Sequence, residues 1–303
     1  MFRNQYDTDI TTYSPQGRLH QVEYAMEAVK QGSASVGVRS KTHVVLATLK
    51  RFASELSGDQ KKLFAIDDHV VIAISGLTAD ARVLSRYMRT ETQHHKFMYE
   101  EPMPVGRLVL QVADKCQIST QRASKRPFGV GLLVAGVDEN GPHLYQTCPS
   151  GNYFEYLAMA IGARSQSAKT YLERTYTTLA DANVEALVQA AVTALRETVA
   201  SSKDTELSAK NTAIAIVGTD GAPMRILENT AVQPYIDALD STPSSADDDD
   251  DDDEDDDDEA DAPAAPAAAA PDAPAATLEA GAPAGGDASA EDPPANGAAD
   301  MQT

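Results

Sequence analysis

The side chains able to do chemistry in this 303-residue chain are scattered and do not converge on one spacing. His94 and His95 are adjacent, so on a helix they point in different directions and suit solvated surface better than a metal pair. His20 has no Cys, Asp or second His at ligand spacing. Cys116 and Cys148 lack a CxxC partner, and Cys148 precedes Pro149 with no identifiable base; both read as idle thiols of a reducing compartment. Gly76 and Gly129-Val130-Gly131 lack the following GK[ST] of a phosphate loop. The sequence thus predicts no catalytic residue, no metal and no cofactor. Two cationic features remain. Lys62 sits in QKKLFAIDD between a polar loop and a short strand, with Lys61 the alternative to it. Arg122, Lys125 and Arg126 cluster before Pro127 and suit either a solvated turn or ion pairing to another subunit.

One stretch is dense in signal: YDTDITTYSPQGRLHQVEYA, from Tyr6 to Ala25. Ser14-Pro15 suits a turn or helix entry, because proline fixes φ and lacks an amide donor. After Gly17, the residues Leu19, Val22, Met26 and Val29 fall on one helical face, with Gly32 as a stop. Elsewhere, strand-like runs cover 35–39, 43–49, 70–74, 130–137, 143–148, 153–161, 211–217 and 224–228, with Asn140-Gly141 as a hairpin turn. Helical stripes lie between them. Thr78 can cap one carrying Val83, Leu84, Tyr87 and Met88, and Pro104 opens another with Leu108, Val112 and Cys116. Ala168, Tyr171, Leu172, Tyr176 and Leu179 mark a third. Val184, Leu187, Val188, Ala191, Leu195 and Val199 mark the clearest. Helices arriving in pairs between groups of strands point to an α+β fold with antiparallel sheets, not a doubly wound parallel one.

The formal charge of −21 is unevenly placed: 20 of the 46 acidic residues follow Asp240, where there is no Lys or Arg. The body is therefore near neutral and has no basic face for nucleic acid. From 241 the chain passes through the acidic run Asp247–Glu259 into Ala/Pro/Gly repeats with little to bury, so 241–303 is expected to be disordered. No apolar run approaches the length of a membrane span, and MFRNQYDTDI lacks a secretory core, so the expectation is a soluble intracellular protein.

The Tyr6–Ala25 stretch resembles the N-terminal signature of the alpha subunits of the proteasome core particle, on Ser14, Pro15, Gly17, Arg18, Gln21, Glu23 and Tyr24. The resemblance spans about 1–240 and recurs in QGSASVG, QKKLFAIDD, SGLTADAR, RPFGVGLLVAG and IGARSQSAKTYLE. MFRNQYD and CPSGNYF are most similar to the alpha-6 (alpha type 1) branch. It implies a four-layer αββα sandwich, the N-terminal-nucleophile hydrolase fold, over 1–240, with a gate segment and signature helix in 1–32. The beta relatives use a threonine freed at the mature N-terminus. Here the matching strand begins near Ser33-Ala34-Ser35, behind 32 residues of signature, and Leu49 stands where active relatives carry an acid. The resemblance implies a non-catalytic ring subunit. Its partners would be other alpha subunits in a seven-membered hetero-ring, beta subunits and activator C-terminal tails. Tyr6, Asp7, Pro15 and Tyr24 match a gate cluster, although Thr8 replaces the arginine common after Tyr-Asp. Lys62, Gly32 and Leu77 match a pocket for activator tails. Two other readings stay open: an autonomous hydrolase of the same fold, and an acidic-tail binder of basic proteins.

Overall fold

The computed structural model describes residues 5–52, 56–58, 60–199, 207–219 and 223–240. The segment 241–303, expected to be disordered, lies outside the described residues. Helix α1 (His20–Gln31) is followed by strands β1 (Ser35–Arg39), β2 (His43–Leu49), β3 (Leu63–Asp67) and β4 (Val70–Gly76). Helices α2 (Thr78–Tyr99) and α3 (Val105–Thr120) come next, then β5 (Val130–Asp138), β6 (Gly141–Thr147), β7 (Tyr153–Glu155) and β8 (Ala158–Ile161). Helices α4 (Ser165–Leu179) and α5 (Val184–Arg196), strands β9 (Thr212–Gly218) and β10 (Arg225–Glu228), a 3-10 turn at Asn229–Ala231 and α6 (Gln233–Asp240) complete it.

The strands form two five-stranded antiparallel sheets, in the orders β10-β9-β2-β1-β8 and β3-β4-β5-β6-β7. Three apolar clusters make four layers of them. Val44, Leu46, Ala73, Leu133 and Ala215 are buried between the sheets. Ile72, Ile74, Leu132 and Val134 meet Leu84, Met88, Leu108 and Val112 of α2 and α3. Val36, Val45, Ile214 and Ala160 meet Leu172, Leu187, Ala191 and Leu195 of α4 and α5 on the opposite side. A strand such as Val70-Val71-Ile72-Ala73-Ile74 is buried on both faces, which is why it reads as a continuous apolar run and not as an alternation. This is the αββα sandwich that the paired helices anticipate.

Local details depart from the sequence expectation. The 153–161 run is two strands belonging to different sheets, because β7 pairs β6 while β8 pairs β1. Thr78 is the first helical residue and not the cap of α2; Leu77 precedes it, with no side-chain cap. Val83 and Tyr176 are exposed, although both fall on apolar stripes in the sequence. In α1 the buried face is Val22, Ala25 and Val29, while Leu19 lies before the helix. Gly32 does end α1, but in an extended conformation (φ −65°), so left-handed freedom is not its reason. The reason is space: a Cβ there would lie 2.2 Å from the Gly76 amide nitrogen. Ser75 ties the same junction, its hydroxyl donating to the carbonyls of Val29 (2.9 Å) and Ser33 (3.2 Å). The end of α1 and the end of β4 are thereby held as one unit. No helix among the described residues is long and apolar enough to cross a membrane.

Candidate gate cluster and tail pocket

Ahead of α1, the turn is closed by main-chain hydrogen bonds from Gly17 to Ser14 (2.8 Å) and from Ser14 to Arg18 (2.9 Å). The Ser14 hydroxyl accepts from the Arg18 amide at 3.1 Å. Gly17 adopts φ +74°, where a glycine costs little and an L side chain costs about 1 kcal/mol. Pro15 is exposed in this turn. Arg18 reaches forward and donates twice to Glu23, at 2.7 and 2.6 Å, in a fork that fixes the side chain as well as the charge. Glu23 holds Arg18 above its usual pKa, and Arg18 lowers that of Glu23.

Of the predicted cluster, Asp7 and Tyr24 meet on α1. The Tyr24 hydroxyl donates to the Asp7 carboxylate at 3.1 Å, and Gln21 donates to the Asp7 main-chain carbonyl. Gln21 and Tyr24 are three apart, so both face the incoming segment from one side of α1. Partial desolvation, and then the carboxylate, push the Tyr24 phenol up, which keeps it a donor at neutral pH. Tyr6 is partly exposed next to Asp7. Two contacts from one helix face to a single residue define the path of the N-terminal segment.

Lys62, Gly32 and Leu77 lie around the α1–β4 junction. Lys62 precedes β3, and its carbonyl accepts from the Ile74 amide at 3.2 Å, which sets it beside the end of β4. Lys62 is 4 % exposed, whereas Lys61 is exposed. Burial, with Arg51 adding to it, lowers the Lys62 pKa to about 8. Arg51 also donates to the Gln31 carbonyl at 3.5 Å, at the approach to Gly32. Arg51 and Ser75 are the parts of this site that sequence reasoning missed. Neither belongs to a spacing pattern; only the fold puts Arg51 beside Lys62. Leu77 is half-exposed after Gly76, its amide donating to the Gly129 carbonyl at 2.9 Å.

The Lys62 ammonium is largely withdrawn from water, has a second cation nearby and forms no ion pair with a described residue. Its linkage has a defined sign. With a folded pKa of about 8 against an ordinary 10.5, the unfolded chain binds more protons between those values, so stability rises with pH across that window. Below about 8 both states are charged and the burial penalty is complete. Lys62→Met is therefore expected to stabilise the domain at pH 7, on the order of 1–2 kcal/mol, and to abolish this part of the rise. Denaturant melts of both proteins at pH 7 and pH 9.5 check it; an equal pH response in the two would refute the burial penalty.

Other sequence candidates resolve differently. Arg126, expected in an inter-subunit pair or a solvated turn, is taken within the chain, donating to both Asp80 oxygens at 2.6 and 2.9 Å. His95 is not solvated: it is 8 % exposed, packs its ring near Tyr99 and lies 3.2 Å from the Glu101 carbonyl. Burial raises the thiol pKa of both cysteines, that of Cys116 to about 12. The strand matching the nucleophile opens with Ser33 2 % exposed, its carbonyl held by Ser75, and with Leu49 donating its amide to the Ala34 carbonyl at 3.0 Å. Ser33 is thus an internal residue of a chain whose α1 precedes it, with no free amine to act as base.

The family model described as "Proteasome subunit" matches residues 29–217, and the model of the N-terminal signature of A-type proteasome subunits matches 6–28. The chain is 56 % identical over 241 residues to "Proteasome subunit alpha type-1" of Dictyostelium discoideum, covering 80 % of this chain and 96 % of that protein. It is 58 % identical over 220 residues to "Probable proteasome subunit alpha type-6" of Schizosaccharomyces pombe, covering 73 % and 80 %. With "Proteasome subunit alpha type-1" of Drosophila melanogaster it shares 50 % identity over 230 residues, 76 % and 82 % of the two chains.

Proposed function

Because the chain belongs to the proteasome subunit family, in its alpha branch, we propose that it gates substrate entry and docks activators as a non-catalytic part of the outer ring. The observation that carries this reading is the pair of contacts from α1 to Asp7, made by Tyr24 and Gln21 within the matched signature. A segment tethered at one residue by a hydroxyl–carboxylate contact and an amide–carbonyl contact has a defined held position, from which breaking two contacts would release it, as a two-state gate requires. The chemistry belongs to beta partners: here the nucleophile strand starts with an internal, buried serine, and Leu49 replaces the acid.

In this reading the chain occupies one position of a seven-membered hetero-ring, seated on a beta ring. It serves ubiquitin-dependent protein degradation in the cytoplasm and nucleus. Lys62, Gly32 and Leu77 receive the C-terminal carboxylate of an activator tail, for which a compact ammonium is suited. Residues 1–240 form the ring domain, and 241–303 form an acidic appendage to it.

The test is assembly. Native mass spectrometry of the tagged chain from its own cell should find it with other alpha and beta subunits, and peptidase activity should follow that particle, not the isolated chain. Peptide hydrolysis by the isolated chain, or an intact mass showing a new terminus at Ser33, would overturn the non-catalytic reading.

A further inference from the structure

His143, on β6, is held between carboxylates from the two neighbouring strands. Its Nε2 lies 3.0 Å from Asp138 of β5, and its Nδ1 lies 2.8 Å from Glu155 of β7. The ring and Asp138 are largely buried, while Glu155 is partly exposed. An ionised carboxylate only accepts, and a neutral imidazole has a single N–H, so a neutral ring would aim a lone pair at one of the two acids. Only a ring with a proton on each nitrogen donates to both. The surroundings keep that extra proton on the ring. Arg39 of β1 donates to Glu155, and to the Pro142 carbonyl at 3.2 Å. Burial pushes the Glu155 carboxyl up, but His143 and Arg39 together bring it below its ordinary value, so Glu155 stays an acceptor. Tyr145 stacks on the ring with 5.8 Å between centroids; burial, and next the Glu155 carboxylate, push its phenol up and out of the neutral range. Asp138 is fixed from two other sides, by the Asn140 amide at 2.9 Å and the Val105 amide of α3 at 3.2 Å. With a charged ring, two cations meet two carboxylates; with a neutral one, an acid is left uncompensated.

The cluster sits where the chain leaves one sheet for the other. β7 pairs in the sheet of β6 and β8 in the sheet of β1, with only Tyr156 and Leu157 between them. The Tyr156 amide donates to the Leu144 carbonyl at 2.8 Å, and the Arg39 amide to the Leu157 carbonyl at 2.9 Å. Glu155, Tyr156 and Leu157 also line a cavity of about 550 Å³, together with Leu172 and Tyr176 of α4. We propose that His143 is a proton-operated clasp on this crossover: with both ring nitrogens protonated it ties β5 to β7, and loss of one proton releases Glu155 and loosens that wall of the cavity. Glu155 is the end that lets go, because it is the more exposed acid and Asp138 has its two amide donors besides. An ordinary histidine gives up its second proton at about pH 6.5, whereas the bridged ring keeps it. The contact is therefore complete in mild acid and is lost as the pH rises.

Hydrogen exchange of the full chain tests this, read by mass spectrometry in the segment that carries Tyr156 and Leu157 and expressed as protection over the intrinsic rate at each pH. Between pH 5.5 and pH 8.5 protection should fall about ten-fold, the scale of one hydrogen bond to a charged group. His143→Gln keeps a single donor, so its protection should be low at both values and should not change between them. Glu155→Gln is the sharper variant. Its amide can donate to the lone pair of a neutral ring while its carbonyl still accepts from Arg39, so the clasp no longer needs the second proton. Protection there should stay high at both pH values. Protection that does not change with pH in the unsubstituted chain would overturn the proposal, as would a ten-fold fall that survives in His143→Gln. If His143→Gln does not fold, Glu155→Gln decides alone: a pH response as large as that of the unsubstituted chain refutes the clasp, and its loss with protection kept supports it.

Discussion

Gly32→Ala is expected to cost about 3 kcal/mol of stability, the upper end of overpacking by a single methyl group. The added Cβ would lie 2.2 Å from the Gly76 nitrogen, 2.4 Å from the Ser75 hydroxyl and 3.0 Å from the Ser75 carbonyl carbon. Two of those atoms are main chain and cannot rotate away. Gly76 cannot retreat either: at φ +111° its own Cα already faces the Gly129 carbonyl, where a Cβ would come within 2.3 Å. The strain therefore spreads into the α1–β4 junction and breaks the Ser75 contacts to Val29 and Ser33. For a body of this size the melting temperature should fall by roughly 6–12 °C. Gly17→Ala is the control, since nothing lies within 4 Å of its Cβ and only the φ of +74° opposes it, costing about 1 kcal/mol. A loss at Gly32 no larger than that at Gly17, read by thermal melts, would show that the close approach to Gly76 does not set the need for Gly32. A larger loss at Gly32 would tie the rigidity of the α1–β4 junction to a stack of three backbones rather than to a side chain.

That stack marks the boundary of what the sequence discloses. The periodic elements are legible: the apolar run of β4, the α5 stripe and the paired order of helices lead to the sandwich, because burial on one face or both leaves a period in the residue types. Contacts between residues distant in sequence leave none. Arg126 reads as a free basic residue until the fold sets it against Asp80, 46 positions earlier. The 153–161 run reads as one strand because both halves are apolar or aromatic; nothing local says that β7 and β8 join different sheets. Gly32 is visible as a helix stop, but its cause is a neighbouring backbone and not its own φ. At the gate, residue types carry the resemblance, whereas the Gln21 contact to the Asp7 carbonyl needs the turn at Gly17 to bring the two together. The sequence does not tell Lys62 from Lys61, since adjacent residues ahead of a short strand both fit; the fold buries Lys62, 4 % exposed, and leaves Lys61 on the surface.

Tyr24→Phe is expected to lower activator-stimulated peptide hydrolysis by the assembled particle about five-fold, with the KM of the beta sites unchanged. The substitution removes one oxygen and keeps the ring, which is half-exposed, so packing of α1 on β4 and β5 should persist through Val22, Ala25 and Val29. What is lost is a hydrogen bond to a carboxylate at a solvent-accessible site, for which about 1 kcal/mol is a fair magnitude, or a factor of about five in a two-state equilibrium. Asp7→Ala should have a similar effect, because it removes the other end of the same contact. The double variant should then be little worse than either single one, since the second substitution has nothing left to break. Gln21 distinguishes this from a general loosening: it binds the Asp7 main chain, so Asp7→Ala leaves that tether in place. Gln21→Ala on top of Tyr24→Phe should release the segment further and add its own loss. A stimulated rate that does not change in Tyr24→Phe, or a double Tyr24→Phe and Asp7→Ala variant showing two full independent losses, would separate the contact from the gate. In that case the tether would only start a helix.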